Sequence, residues 1–172
     1  MKNKTIDIIK NRVSCRSYSD KKVSLKKALE IAEAGRYAPS AKNRQIANIY
    51  LVNSKSKVEK LRNLSLSLAG RDCMYDAKTV ILVGGPREDG FTVQDCSCIL
   101  ENMFLAAKAL GIASCWINQF DDLFSNKEGL KVKKSLGIPE DYRVVGACIL
   151  GYPSEGTELK VKERKEDFIK VL

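Results

Sequence analysis

Ala106-Ala107-Lys108-Ala109-Leu110-Gly111-Ile112-Ala113-Ser114-Cys115-Trp116-Ile117-Asn118-Gln119 joins the longest helical pattern of the chain to a β-prone run. Upstream of it, Ile99, Leu100, Met103, Phe104, Ala107 and Leu110 fall on one wide stripe, which predicts a heavily buried helix over residues 92–110. Gly111 stands where a left-handed C-terminal cap belongs. The small residues Ser97, Ala106, Ala107 and Ala109 would let another backbone approach that helix closely. Residues 112–117 then read as a strand holding the only tryptophan, and the polar pair Asn118-Gln119 follows it.

Working outward, residues 5–11 form a short amphipathic turn, and Ser24 is placed to cap a helix carried by Leu25, Ala28, Leu29, Ile31 and Ala32. That helix ends before the loop at Pro39-Ser40. Residues 48–52 (NIYLV) read as a strand, and residues 56–68 repeat Val58, Leu61, Leu64 and Leu68 at helical spacing. Residues 79–83 (TVILV) are a continuous β-branched run, expected as a fully buried strand stopped by a tight turn at Gly84-Gly85-Pro86. A helix over 125–136 and a strand over 144–150 (VVGACIL), closed by Gly151-Tyr152-Pro153, complete the pattern. The tail, 154–172, has too few large apolar residues to pack alone. Helix–strand alternation by itself suggests a parallel doubly wound sheet. The chain has no G-x-G-x-x-G and no P-loop, which disfavours a Rossmann or P-loop protein.

Composition narrows the chemistry. With 172 residues and 44% hydrophobic content, the chain is expected to form one domain, residues 1–172, around a real core. It contains no histidine, which excludes Ser-His-Asp and Cys-His catalysis and every His-ligated metal site. Cysteines 15, 73, 96, 98, 115 and 148 form no C-x-x-C pair and read as free thiols, so no metal is expected. Thirty Lys+Arg against 21 Asp+Glu give a net charge of +9. The cations are scattered among acids with only 7% aromatic residues, so the basic surface reads as solvated rather than as a nucleic-acid interface. No apolar run approaches the roughly 18–20 residues of a membrane helix. Met1-Lys2-Asn3-Lys4-Thr5-Ile6-Asp7 lacks a secretory core, so the expected location is cytoplasmic. Chemistry in such a chain is most simply borrowed from a cofactor.

Four polar patches interrupt these elements. Arg12-Val13-Ser14-Cys15-Arg16-Ser17-Tyr18 places two arginines four apart around a hydroxyl, able to grip a phosphate or to end a helix in a salt bridge. Ala38-Pro39-Ser40-Ala41-Lys42-Asn43-Arg44-Gln45 offers Ser, Asn and Gln side chains beside a rigid proline. The stretch through Cys115-Trp116-Ile117-Asn118-Gln119 is the third, and Leu136-Gly137-Ile138-Pro139-Glu140 the fourth.

In this order and at these separations the patches resemble the FMN-dependent nitroreductase family. Arg12 to Tyr18 is similar to its R-R-S-x-R-x-F opening, and the Pro39 loop to its A-P-S-x-x-N-x-Q motif. Ala106 to Trp116 resembles A-A-x-x-L-G-x-x-S-C-W. The resemblance covers nearly the whole chain. It implies an α+β nitroreductase-like fold, with a mostly antiparallel central sheet flanked by helices. It also implies an intertwined homodimer holding FMN at the subunit interface, with residues 154–172 exchanged onto the partner.

The same resemblance assigns roles. Arg12, Ser14 and Arg16 would meet the FMN phosphate, ribityl chain and pyrimidine edge, with Val13 contributing only backbone where a basic residue is usual. Pro39, Ser40, Ala41 and Asn43 would line the flavin from the other subunit, next to Ile46-Ala47 where Pro-Trp is usual. Trp116, Ile117, Asn118 and Gln119 would lie along the isoalloxazine, with a backbone N–H of Asn118 or Gln119 reaching N5. Gln119 replaces a common glycine. Arg164 and Lys165, with Lys162 as a rival, resemble the basic phosphate-binding pair of the tail. The implied activity is ping-pong hydride transfer from NAD(P)H through FMN to a small acceptor such as a nitroaromatic or quinone, with no catalytic side chain. The alternative is a flavin-binding sensor or storage protein with little NAD(P)H turnover.

Overall fold

The computed structural model describes residues 3–172; Met1 and Lys2, the start of the stretch read as lacking a secretory signal, lie outside the described residues. In chain order the elements are α1 (Lys4–Asn11), α2 (Leu25–Arg36), a 3-10 turn (Ala41–Asn43), β1 (Asn48–Val52), α3 (Lys55–Ala69), β2 (Thr79–Pro86), α4 (Thr92–Ala109), β3 (Ala113–Ile117), α5 (Phe120–Leu123), α6 (Lys127–Ser135) and β4 (Tyr142–Gly151). Side-chain caps open most of the helices. Asn3 accepts from Thr5 and Ile6, Ser24 from Lys27, Ser54 from Lys57, and Asn126 from Glu128 and Gly129. Just past α4, Gly111 takes the left-handed conformation (φ 68°) that an L side chain resists.

The sheet has the order β1-β2-β4-β3, and every neighbouring pair is antiparallel. The parallel arrangement that alternation suggests does not form, because the end of β1 lies beside the start of β2 (Val52 opposite Val80). The segment 70–78 carries the chain back along α3, so the helix returns it to the end it left. β2 and β3 both run against β4, and α4 crosses between them.

Each face of the sheet is covered. Val80, Leu82, Ala147 and Ile149 pack with Val58, Leu61, Leu64 and Phe120 on the side of α3 and α5. Ile81, Val83, Cys148 and Leu150 pack with Ala28, Ile31, Leu100 and Met103 on the side of α2 and α4. Burial on both faces explains why TVILV shows no polar alternation.

Two expectations are corrected. Gly84-Gly85 is not a turn: β2 continues through both to Pro86. The register there places Val83 opposite Gly146 and Gly84 opposite Val144, leaving Val145 as an extra bulge residue. A Cβ on Gly84 would lie 2.4 Å from the Arg143 carbonyl oxygen, so the close approach of β4 demands glycine. The helix expected over 125–136 begins two residues later, at Lys127, after a separate single turn, α5. Beyond Pro153, bridged to Tyr18, the tail forms no helix or strand, and Phe168, Ile169, Val171 and Leu172 are almost wholly exposed. Among the described residues no helix is long and apolar enough to cross a membrane.

Candidate active site

Arg12 ends α1 in an extended conformation, and the next residues run parallel to the start of β3. Ser14 bridges Ser114, the Cys15 N–H donates to the Ser114 carbonyl at 2.9 Å, and the buried Tyr18 hydroxyl donates to the Cys15 carbonyl at 2.9 Å. Burial pushes the Tyr18 phenol well above its ordinary range, so it stays a donor. Cys15 fills the core, which turns its neighbours Ser14 and Arg16 outward. Arg12 reaches Glu101 only at 4.0 Å, the long limit of an ion pair, so the salt-bridge reading of this patch is weakly realised. Arg16 is exposed and has no ion-pair partner among the described residues. Burial raises the Cys115 thiol, and the Arg16 charge and a hydrogen bond with Ser14 pull the other way. Arg12, Val13, Lys108, Ser114 and Leu159 line a cleft of about 140 Å³.

Trp116 and Ile117 close β3 with side chains on opposite faces. The Trp116 indole packs on the α4 side, 5.9 Å from the Phe104 ring, and a Cβ on Gly146 would come within 2.7 Å of its Nε1. Ile117 is buried on the other face and offers only backbone to any ligand. Asn118 is exposed and Gln119 half-buried where the chain leaves the strand. Arg12 to Arg16 and Asn118-Gln119 therefore flank the two ends of β3, separated by about 14 Å at ~3.4 Å per residue.

The Pro39–Asn43 loop occupies a different surface. Lys42, Asn43 and Gln45 all have positive φ (54°, 54° and 51°), each costing on the order of 1 kcal/mol, so outside contacts must hold the loop. Asp95 Oδ1 accepts from the Ala41 N–H at 2.9 Å, Ser40 Oγ from the Gln45 N–H at 3.1 Å, and Asn43 Oδ1 from Gln45 Nε2 at 3.1 Å. Arg44 forks onto Asp89 at 2.7 and 2.9 Å and holds that carboxyl below the usual range. Pro39, Ser40 and Asp95 line a groove of about 430 Å³ with Leu29, Arg36 and Ile49. Asp95 Oδ2 is buried with no hydrogen-bond partner.

Within one chain, then, Arg12, Val13, Ser14 and Arg16 lie by the start of β3, and Trp116, Ile117, Asn118 and Gln119 lie at and just past its end. Pro39 and Ser40 line a separate groove, Ala41 and Asn43 follow them in the same loop outside its lining, and Arg164 and Lys165 lie in the exposed tail. Three anchoring residues carried no sequence signal read above: Asp95, Arg87 and Asp121. Asp95 could have been noticed as a carboxylate four residues before Ile99, at the head of the apolar stripe of α4.

The family model for the nitroreductase family matches residues 9–71 and 65–152. The chain belongs to the nitroreductase family. A nitroreductase with bound FMN from Bacteroides fragilis superimposes with a TM-score of 0.93 at 34% identity, over 99% of this chain and 100% of that one. Another with bound FMN, from Desulfitobacterium hafniense, gives 0.89 at 28% identity over the full length of both. A curated relative in Archaeoglobus fulgidus, provisionally named an NADH dehydrogenase/NAD(P)H nitroreductase, is 33% identical over 156 residues, 87% of this chain and 86% of its own. The nitroreductase fold, α+β with an antiparallel sheet between helices, is thus the fold of this chain. Its donor set suits a flavin mononucleotide: among the described residues Arg16 has no acidic ion-pair partner, Arg12 meets Glu101 only at 4.0 Å, and a hydroxyl lies between them at one end of a short strand.

Proposed function

We propose that this nitroreductase-family chain is an FMN-dependent oxidoreductase that works as a homodimer, taking hydride from NAD(P)H and delivering it to a small acceptor such as a nitroaromatic or quinone. The observation that carries this reading is Arg16, exposed and without an acidic partner among the described residues, beside Ser14 and Cys15, which are stitched to the start of β3, in a chain whose FMN-bound relatives cover 99–100% of it. When bound, FMN supplies the hydride acceptor and donor at N5. Arg12, Ser14 and Arg16 hold the phosphate, ribityl and pyrimidine oxygens, and Val13 adds backbone only. Trp116 contributes its half-exposed indole, while Ile117, Asn118 and Gln119 contribute main chain. Pro39, Ser40, Ala41 and Asn43 come from the second copy, which accounts for their lying away from Arg12 within one chain. Arg164 and Lys165 reach the phosphate once the tail docks on that copy. No side chain has to move a proton, in keeping with a chain without histidine. Six unpaired cysteines accord with a reducing, cytoplasmic setting.

Anaerobic stopped-flow mixing of the FMN-loaded protein with NADH, then NADPH, tests this. The expected result is rapid loss of the flavin band, restored by a quinone or nitroaromatic. A yellow protein that neither nucleotide reduces would favour a flavin-binding sensor or storage protein, and a protein that refuses FMN would overturn the reading.

A further inference from the structure

β3 stops at Ile117, opposite Ala147, while β4 begins at Tyr142. Residues 142–146 of β4 therefore have no strand neighbour on that side, and any N–H facing it needs another acceptor. Asp121 supplies one: its Oδ1 accepts from the Val144 N–H at 3.1 Å. The same carboxylate takes a forked pair from Arg87, Nη2 to Oδ1 at 2.8 Å and Nη1 to Oδ2 at 3.2 Å. Arg143 Nη2 stands 3.6 Å from Oδ2. The carboxylate is 20% exposed, so these contacts form at the edge of the core rather than in open water.

Asp121 lies two residues past Gln119, and the residue between them, Phe120, is fully buried. A helix of only four residues cannot hold its own direction. Phe120 in the core and Asp121 on β4 are the two pins that do. Gly84 belongs to the same construction, since its missing Cβ lets Arg143 and Val144 come close to β2.

We infer that Asp121 is a positioning residue for the flavin, acting through the backbone: it fixes the aim of the Asn118 and Gln119 N–H groups at the end of β3. This rests on the flavin reading above. A donor aimed at N5 meets a lone pair in oxidised FMN and a hydrogen in the two-electron-reduced form, so it favours the oxidised state. The contacts of Arg12 and Arg16 with the phosphate are indifferent to that difference. Loosening Asp121 should therefore weaken oxidised FMN more than reduced FMN and raise the midpoint potential.

The test compares the full-length unmodified protein with Asp121→Asn, which sets an amide N–H against Arg87, and Arg87→Met, which keeps the Val144 bond. For each, thermal unfolding, FMN affinity and the flavin midpoint against a reference dye are measured. Asp121→Asn is expected to lose about tenfold of the preference for oxidised over reduced FMN, a rise of about 30 mV for a two-electron couple. Arg87→Met should shift it in the same direction by less, and decides the matter alone if Asp121→Asn does not fold. Lower melting temperature or uniformly weaker FMN binding with an unmoved midpoint would make Asp121 merely structural and overturn the inference. Should the unmodified protein bind no FMN, the flavin reading falls and this inference with it, an outcome the variants cannot mimic.

Discussion

Arg16 differs from its partner Arg12 in having no acidic neighbour among the described residues, whereas Arg12 leans toward Glu101. A charge-assisted bond from such a guanidinium to a phosphate contributes roughly 1.5–3 kcal/mol. Arg16→Ala should accordingly weaken FMN binding about ten- to a hundredfold, read by fluorescence titration, with little change in folding. A second residue-scale reporter is the single tryptophan. Gly146→Ala would place a methyl 2.7 Å from Trp116 Nε1 and 3.0 Å from Leu100 Cδ1, so the indole must move. The expected outcome is a shifted tryptophan emission together with altered FMN binding; unchanged emission would mean that the ring has room to spare. At this scale the Arg12-Ser14-Arg16 patch stood out because its polar groups break an apolar pattern, while the flavin role proposed for it came from the family resemblance. Asp95 and Asp121 did not stand out, because their partners lie 54 and 23 residues away and no local spacing announces them.

Among the elements, β1 falls where NIYLV placed it, and Ser24 and Gly111 cap where their chemistry requires. Local rules succeed there because each signal and its consequence share one turn of chain. They failed at Gly84-Gly85, where the reason for glycine is the carbonyl of a strand nearly sixty residues on. Gly84→Ala should cost about 1–3 kcal/mol in denaturant unfolding, by forced separation of β2 and β4. Gly90→Ala, with nothing within 4 Å, should stay within about 0.5 kcal/mol. The α6–β4 connection carries its own pH signature. Lys133 is buried and donates to the Glu140 and Tyr142 carbonyls. Burial first, and the Arg87 charge second, hold its pKa below the ordinary lysine range. Between that lowered value and about 10.4 the unfolded chain binds more protons, so stability from this group rises with pH. Below the lowered value, burial of the ammonium is a constant cost. Lys133→Met should lack that alkaline gain, seen as a gap to the unmodified protein that shifts in the latter's favour as unfolding is followed upward in pH.

For the whole molecule, the apolar surface outside the two cores is unevenly placed. Ile6 and Ile9 of α1, Leu25 and Leu29 of α2, and Phe91 and Val93 at the head of α4 are all more than 40% exposed, and the end of the tail is more exposed still. A 19.2 kDa chain gains nothing from leaving these groups in water. Each large side chain fully buried in an interface contributes roughly 1.5–3 kcal/mol. In the homodimer proposed above these groups would be gathered, and the Pro39 groove of one copy would meet the β3 end of the other. The tail adds little to the fold of its own chain, since Ser154 N–H to Ser17 is its main anchor past Pro153. Truncation after Pro153 should therefore leave far-UV circular dichroism and cooperative unfolding of the core in place. Sedimentation should show the full chain at twice the monomer mass and the truncated chain shifted toward the monomer at low concentration. FMN affinity should fall with it, because the truncation removes both the docking side chains and Arg164 and Lys165. A truncated protein with unchanged mass and unchanged FMN affinity would take the tail out of the interface and both cations out of the site, leaving Arg12 and Arg16 as the whole of the phosphate contact.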